Sequence, residues 1–266
     1  MKTFVLIHGS YHGAWNWHKV VPILEKNGHK AISLDMPGHG IDKQKLHTVT
    51  FNDCVNKIAT ALNNVKGKVI LLAHSRNGIV ISQVAEQCPE KIEKLIYLAS
   101  YLVPNGKSMM DYALLDTESL VMQNVVPKID IKRAIQLNRN FIGFKKHIFS
   151  YLLPTKLKTH KLSPHIFKKA LYHDCPDEIT ELANVLLSPE PNLGGFEKLQ
   201  LSENGYGKIP RIYIECLQDR AVTLAIQRKM QNDSPCEKVY QIDTSHSPFF
   251  SKPQELCEIL LDIAKL

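Results

Sequence analysis

The sequence predicts an α/β fold: a mostly parallel, doubly wound sheet of about six strands that carries a helical cap. Three observations lead there. Short apolar runs alternate with helix-length amphipathic segments towards both ends of the chain. That alternation stops between residues 102 and 207. A length of 266 residues, with 44% hydrophobic and 22% charged side chains, suits one large buried core.

Buried parallel strands are expected where apolar runs of about five residues are bounded by polar or turn residues. These runs cover 3–7, 30–34, 69–73, 95–99, 211–215 and 238–242. Helices are expected over 17–25, 52–62, 78–87, 222–230 and 253–264, where apolar residues recur at spacings of three and four. Between residues 102 and 207 no strand run appears, and helical patterns mix with Pro104, Pro127, Pro154, Pro164, Pro176, Pro189 and Pro191. So long an excursion between two sheet strands reads as a helical cap over 103–207, inserted into a core made of 1–102 and 208–266.

Composition removes several classes. There is no internal repeat or low-complexity tract, and no stretch of about twenty apolar residues, so solenoids and stable membrane insertion are not expected. The apolar run Phe4-Val5-Leu6-Ile7 is too short for a signal-peptide core, which points to a cytoplasmic protein. The six cysteines are widely spaced with no CxxC pair, so they read as reduced core fillers, and no metal or cofactor is expected. The net charge of +7 is uneven: residues 128–169 hold eleven Lys or Arg against one acid, Asp130. No nucleic-acid motif accompanies this block, so it reads as a solvated face of the cap and nucleic acid is not expected as a partner. A homodimer is compatible with the sequence.

The informative residues lie at the ends of strands, where open α/β sheets bind ligands. The run 69–73 passes into His74-Ser75-Arg76-Asn77-Gly78 and then an apolar helix, a strand–turn–helix that exposes a strained serine. The positions two before and two after Ser75, where close packing favours glycine, hold Ala73 and Asn77. A serine hydroxyl needs a histidine to take its proton and an acid to orient that histidine. Asp219 follows the run 211–215 and His246 follows 238–242, so Ser75, Asp219 and His246 come in nucleophile–acid–base order at successive strand ends. The first strand ends in His8-Gly9-Ser10-Tyr11-His12-Gly13, a turn able to aim the N–H of Ser10, with that of Arg76, at an oxyanion.

Each residue has an ordinary alternative: Ser75 a helix N-cap, Asp219 a cap for the following helix, His246 one of twelve histidines. Their coincidence at strand ends favours a catalytic triad. Asp243 and Glu215 are rival acids, one too close to His246 in sequence and the other inside a strand.

The run Phe4-Val5-Leu6-Ile7-His8-Gly9-Ser10-Tyr11-His12-Gly13-Ala14-Trp15-Asn16-Trp17 resembles the plant methylesterase and hydroxynitrile lyase branch of the α/β-hydrolases, with its bacterial esterase relatives. So do Leu34-Asp35-Met36-Pro37-Gly38-His39-Gly40, Tyr172-His173-Asp174-Cys175-Pro176-Asp177-Glu178 and Tyr213-Ile214-Glu215-Cys216, the last of these closer to the bacterial members. The resemblance implies Ser75 as nucleophile, Asp219 as acid, His246 as base, and Ser10 and Arg76 as oxyanion donors. It further implies a serine carboxylesterase acting on a small ester. The lyases carry threonine and lysine where this chain has Gly9 and Ser247, which favours hydrolysis over cyanohydrin cleavage. Tyr11 and Leu102 are candidate substrate contacts. The competing readings are a hydrolase-fold binding protein with little turnover, a lyase, and a basic-cap protein that associates with membrane or nucleic acid.

Overall fold

The six long strands form where the apolar runs place them, as β1 (Thr3–Ile7), β2 (Lys30–Leu34), β3 (Val69–His74), β4 (Ile92–Leu98), β7 (Arg211–Cys216) and β8 (Lys238–Ile242). The computed structural model describes residues 1–125, 159–160, 162–191 and 195–266. Its main sheet is parallel throughout, in the order β2-β1-β3-β4-β7-β8. The chain winds outward from β1 to β2, then returns across β1 to β3 and continues to the other edge. The reversal puts a topological switch point between the carboxyl ends of β1 and β3, where such sheets bind ligands.

Alternate residues of each strand supply two apolar layers, because successive side chains point to opposite faces. Val5, Ile7, Val69, Leu71, Leu95, Tyr97 and Tyr213 pack on one face beneath helices α2 (Phe51–Asn63) and α3 (Gly78–Gln87). Phe4, Leu6, Ile70, Leu72, Ile96, Ile212 and Ile214 pack on the other with α1 (Val20–Lys26) and the final helix, Pro253–Ile263. Helix α2 starts at a capping box in which Thr50 and Asp53 exchange side-chain and backbone hydrogen bonds.

Two expected helices begin later than their apolar pattern suggests. Residues Ala14–Trp17 form a 3-10 turn before α1. The helix expected over 222–230 runs Leu224–Asp233, because the carboxylate of Asp219 takes the N–H groups of Ala221 and Val222 and holds them in a turn.

Between β4 and β7 lie the helices Met109–Ala113, Leu120–Val125, Pro164–Leu171 and Asp177–Leu186. The expectation of no strand in this region needs correction: β5 (Thr159–His160) and β6 (Glu190–Pro191) pair antiparallel. Two residues are too few to show an alternating pattern, and proline is tolerated in so short an edge. Most of the basic block over 128–169 lies outside the described residues. No helix among the described residues is long and apolar enough to cross a membrane.

Candidate active site

Ser75 stands at the turn between β3 and α3 with φ of 57°. For a residue with a side chain, this left-handed conformation costs about 1–3 kcal/mol and persists only where its surroundings enforce it. The Ser75 carbonyl accepts hydrogen bonds from the N–H of Tyr101 at 3.0 Å and from the Ser100 hydroxyl. Ser75 is therefore no helix N-cap: α3 begins after Asn77, and Ser75 belongs to the 3-10 turn before it.

The two departures from small residues around the elbow have a physical account. Asn77 keeps an ordinary φ of −74°, and its side-chain amide donates to the carbonyl of His8 at 2.6 Å, tying the elbow to the end of β1. Close packing falls instead on Gly78, where an added Cβ would lie 2.4 Å from both the Ser100 hydroxyl and the Tyr101 carbonyl.

The loops after β7 and β8 bring Asp219 and His246 together. Nδ1 of His246 lies 2.6 Å from Oδ2 of Asp219, and both side chains are buried. Since a carboxylate only accepts, Nδ1 carries the proton and Nε2 keeps the lone pair that a general base needs. Asp219 is not a cap of the following helix, whose N-cap is Thr223: its other oxygen accepts from the N–H groups of Ala221 and Val222 at 2.7 and 2.9 Å, in the turn before that helix. The rival acids are engaged elsewhere. Asp243 accepts from the Gln218 amide, and Glu215 from Arg228, Gln231 and Gln241.

His74, directly before Ser75, ties the elbow to the loop of His246. Its Nε2 donates to the His246 carbonyl at 2.8 Å, and the two rings lie 4.3 Å apart. Burial and the neighbouring His246 hold the His74 pKa well below the usual histidine range, so the ring there is neutral.

The loop after β1 reaches the elbow at Gly9, where a Cβ would stand 2.6 Å from Nδ1 of His74 and 2.8 Å from Cβ of Ser75. Only glycine allows that approach, and Ser10 follows it. Two histidines shape the loop. His8 donates from Nδ1 to the Gly9 carbonyl at 2.7 Å and accepts the Met36 N–H on Nε2 at 3.0 Å. His12 donates from Nδ1 to the Ser10 carbonyl at 2.7 Å and accepts the Tyr172 hydroxyl on Nε2 at 2.5 Å. Both patterns require the neutral ring, and burial pushes the pKa of His8 down to about 3 and that of His12 to about 4.

Tyr11 and Leu102, the candidate substrate contacts, are both buried but belong to different apolar layers. Tyr11 packs with Phe167, Leu171 and Phe250, whereas Leu102 packs on the opposite face with Ile79 and Tyr97.

Sequence reasoning missed a buried charge cluster at the same sheet edge. The Arg76 guanidinium pairs with Oε1 of Glu190, while Oε2 of Glu190 accepts from Nε2 of His39 at 3.0 Å and from the N–H of Tyr11 at 2.7 Å. Burial would raise the Glu190 pKa, but Arg76 and His39 hold the carboxyl well below its usual range. One signal was available: an arginine in the apolar elbow, if buried, needs a counter-charge. Its partner could not be named, because Glu190 is 114 residues away between two prolines.

A model of the α/β hydrolase family matches residues 4–259. The chain belongs to the α/β hydrolase family. Methylesterase 9 of Arabidopsis thaliana is 34% identical to this hydrolase over 99% of the chain and 98% of its own length. Putative methylesterase 11, chloroplastic, of the same plant is 33% identical over 99% of the chain, which spans 64% of that relative's length. A crystal structure of an Arabidopsis methylesterase superposes with a TM-score of 0.78 at 25% identity, covering all of this hydrolase and 99% of that chain.

Proposed function

We propose that this hydrolase cleaves small carboxylic esters through an acyl-enzyme on Ser75, with His246 as general base and acid and Asp219 as the group that orients it. The observation that carries the reading is the buried 2.6 Å contact between His246 and Asp219, with the positive-φ serine directly following His74, whose ring lies 4.3 Å from that of His246. The methylesterase relatives support an ester as the substrate class.

In this mechanism the Ser75 hydroxyl attacks the ester carbonyl as its proton passes to Nε2 of His246. The negative oxygen of the tetrahedral intermediate takes hydrogen bonds from the backbone N–H groups of Ser10 and Arg76, each worth about 3–4 kcal/mol. Collapse breaks the bond to the alcohol, which leaves with the proton from His246. Water then gives a proton to the same histidine and attacks the acyl carbon, and Ser75 recovers its proton as the acid departs. None of these steps draws on a metal or cofactor.

The partner is thus a small-molecule ester, with Tyr11 and Leu102 as candidate pocket contacts. All six cysteines are free thiols, which favours a reducing compartment, and we place the protein in the cytoplasm.

The test is turnover of p-nitrophenyl and methyl esters by the wild type and Ser75→Ala, with labelling by an active-site fluorophosphonate. Turnover and labelling that both vanish in Ser75→Ala support the reading. Labelling without turnover in the wild type replaces it with a binding protein, and retained turnover in Ser75→Ala removes Ser75 from the reaction.

A further inference from the structure

We propose that Glu190, between β4 and β7 in sequence and 3% exposed, is a positioning residue that holds both donors of the oxyanion hole through one carboxylate. The inference rests on the serine esterase reading and adds to it a residue outside the triad.

The two donors belong to segments that Asn77 already ties together at the His8 carbonyl, and the Glu190 carboxylate adds a second link nearer the donors themselves. The first is the N–H of Ser10, one residue before Tyr11. Tyr11 has φ of 67°, a conformation that side chains disfavour, so something must hold it. Residues 188–190 do so at both ends. The N–H of Tyr11 donates to Oε2 of Glu190 at 2.7 Å, and the Tyr11 carbonyl accepts from the N–H of Ser188 at 2.9 Å. The peptide plane joining Ser10 to Tyr11 is consequently fixed on both sides, because His12 holds the Ser10 carbonyl at 2.7 Å. The Ser10 N–H belongs to the preceding peptide plane, whose Gly9 carbonyl His8 holds at 2.7 Å, so the plane fixed by Glu190 and His12 restrains this donor from its other side, through the Ser10 backbone.

The second donor is the N–H of Arg76. Its guanidinium is the cation paired with the other oxygen of Glu190, and Arg76 is only 8% exposed. A buried arginine without its partner would leave an unpaired charge, and the turn that carries it would move to rehydrate that charge. His39 completes the set, anchoring Oε2 of Glu190 to the loop after β2 at 3.0 Å. One carboxylate thus links residues 188–190, the loop after β1, the loop after β2 and the nucleophile elbow. Oxyanion donors act only when held within a few tenths of an ångström of the developing charge, so a loosened clamp lowers the rate of the chemical step and leaves ground-state binding nearly unchanged.

The experiment compares the wild type with Glu190→Ala and Glu190→Gln on p-nitrophenyl acetate, and measures inhibition by an aryl trifluoromethyl ketone, whose adduct with Ser75 bears the same oxyanion. In Glu190→Ala we expect kcat to fall about 10- to 100-fold with KM within about twofold, the size that a misplacement of about 1 Å produces. The inhibition constant of the ketone should rise by the same factor. Glu190→Gln keeps an acceptor for the Tyr11 N–H but not the charge for Arg76, and should fall between. Unchanged kcat and ketone affinity in a folded Glu190→Ala would overturn the proposal, as would a loss of kcat without a matching loss of ketone affinity. If Glu190→Ala does not fold, the same two readouts on Glu190→Gln decide. Ser75→Ala separates the two levels. An inactive Ser75→Ala beside a fully active Glu190→Ala rejects the positioning role alone, whereas an active Ser75→Ala rejects the esterase reading beneath it.

Discussion

His246 and Asp219 share a 2.6 Å hydrogen bond, and the second oxygen of the same carboxylate caps the turn at Ala221 and Val222. The two roles can be separated. Asparagine at 219 keeps a carbonyl oxygen for the two N–H groups, but its amide N–H₂ faces Nδ1 of His246 and forces the proton onto Nε2, the wrong tautomer for a base. Asp219→Asn should therefore lower kcat by about three to four orders of magnitude while KM and the urea midpoint change little. Steady-state kinetics with a p-nitrophenyl ester checks this, and a loss of less than tenfold would remove Asp219 from the triad.

The elbow departs from a glycine pattern at Asn77, and the structure gives the side chain a task there. Its amide reaches the His8 carbonyl at 2.6 Å in a buried setting. Replacing it with glycine would leave that carbonyl unsatisfied at a cost of about 1–3 kcal/mol. Asn77→Gly is expected to lower the urea midpoint accordingly and not to raise kcat. A variant that is more active and equally stable would show that Asn77 hinders the elbow.

What was legible in the sequence was whatever chain order and local pattern encode. Runs such as Val69 to Ala73 are apolar at every position because both faces of the sheet are covered, and their ends located Ser75, Asp219 and His246. The tie from Asn77 to His8 and the cluster of Arg76, Glu190 and His39 were not legible. They join segments 69, 114 and 151 residues apart, through contacts that no periodicity reports. The pair Glu190–Pro191 was missed as a strand for a related reason: two residues carry no alternation.

Gly78 offers a sharper steric test than the positions beside the nucleophile. An added methyl group would lie 2.4 Å from the Ser100 hydroxyl and the Tyr101 carbonyl, and the hydroxyl of Ser100 and the N–H of Tyr101 hold the strained Ser75 carbonyl. Overpacking of this kind costs about 1–3 kcal/mol. Gly78→Ala should lose stability by that amount in urea unfolding and lose kcat as well, because the same atoms position the nucleophile. Destabilisation with kcat intact would show that the elbow tolerates the shift.

The ion cluster predicts a pH dependence of stability whose sign follows from His39. Burial lowers its pKa, but the Glu190 carboxylate outweighs this and raises it above the usual 6.5, and the Pro37 carbonyl accepting from Nδ1 adds to the effect. Arg76, which opposes the proton, His8, whose ring lies 5.3 Å away, and His12 are further charged or titratable groups near it. A raised folded pKa means that the contribution of His39 is fully present below about 6.5 and is lost as pH rises through the folded value. Glu190, whose pKa is depressed, contributes constantly over this window and would lose its contribution only in strong acid. The Tm gap between the wild type and His39→Gln should therefore be widest near pH 6 and shrink towards pH 9. Thermal unfolding of both proteins across that range checks it. A gap that stays flat would mean that His39 is neutral in the folded protein, and one that widens with pH would mean that its proton destabilises the cluster, leaving Arg76 as the sole cation that Glu190 requires.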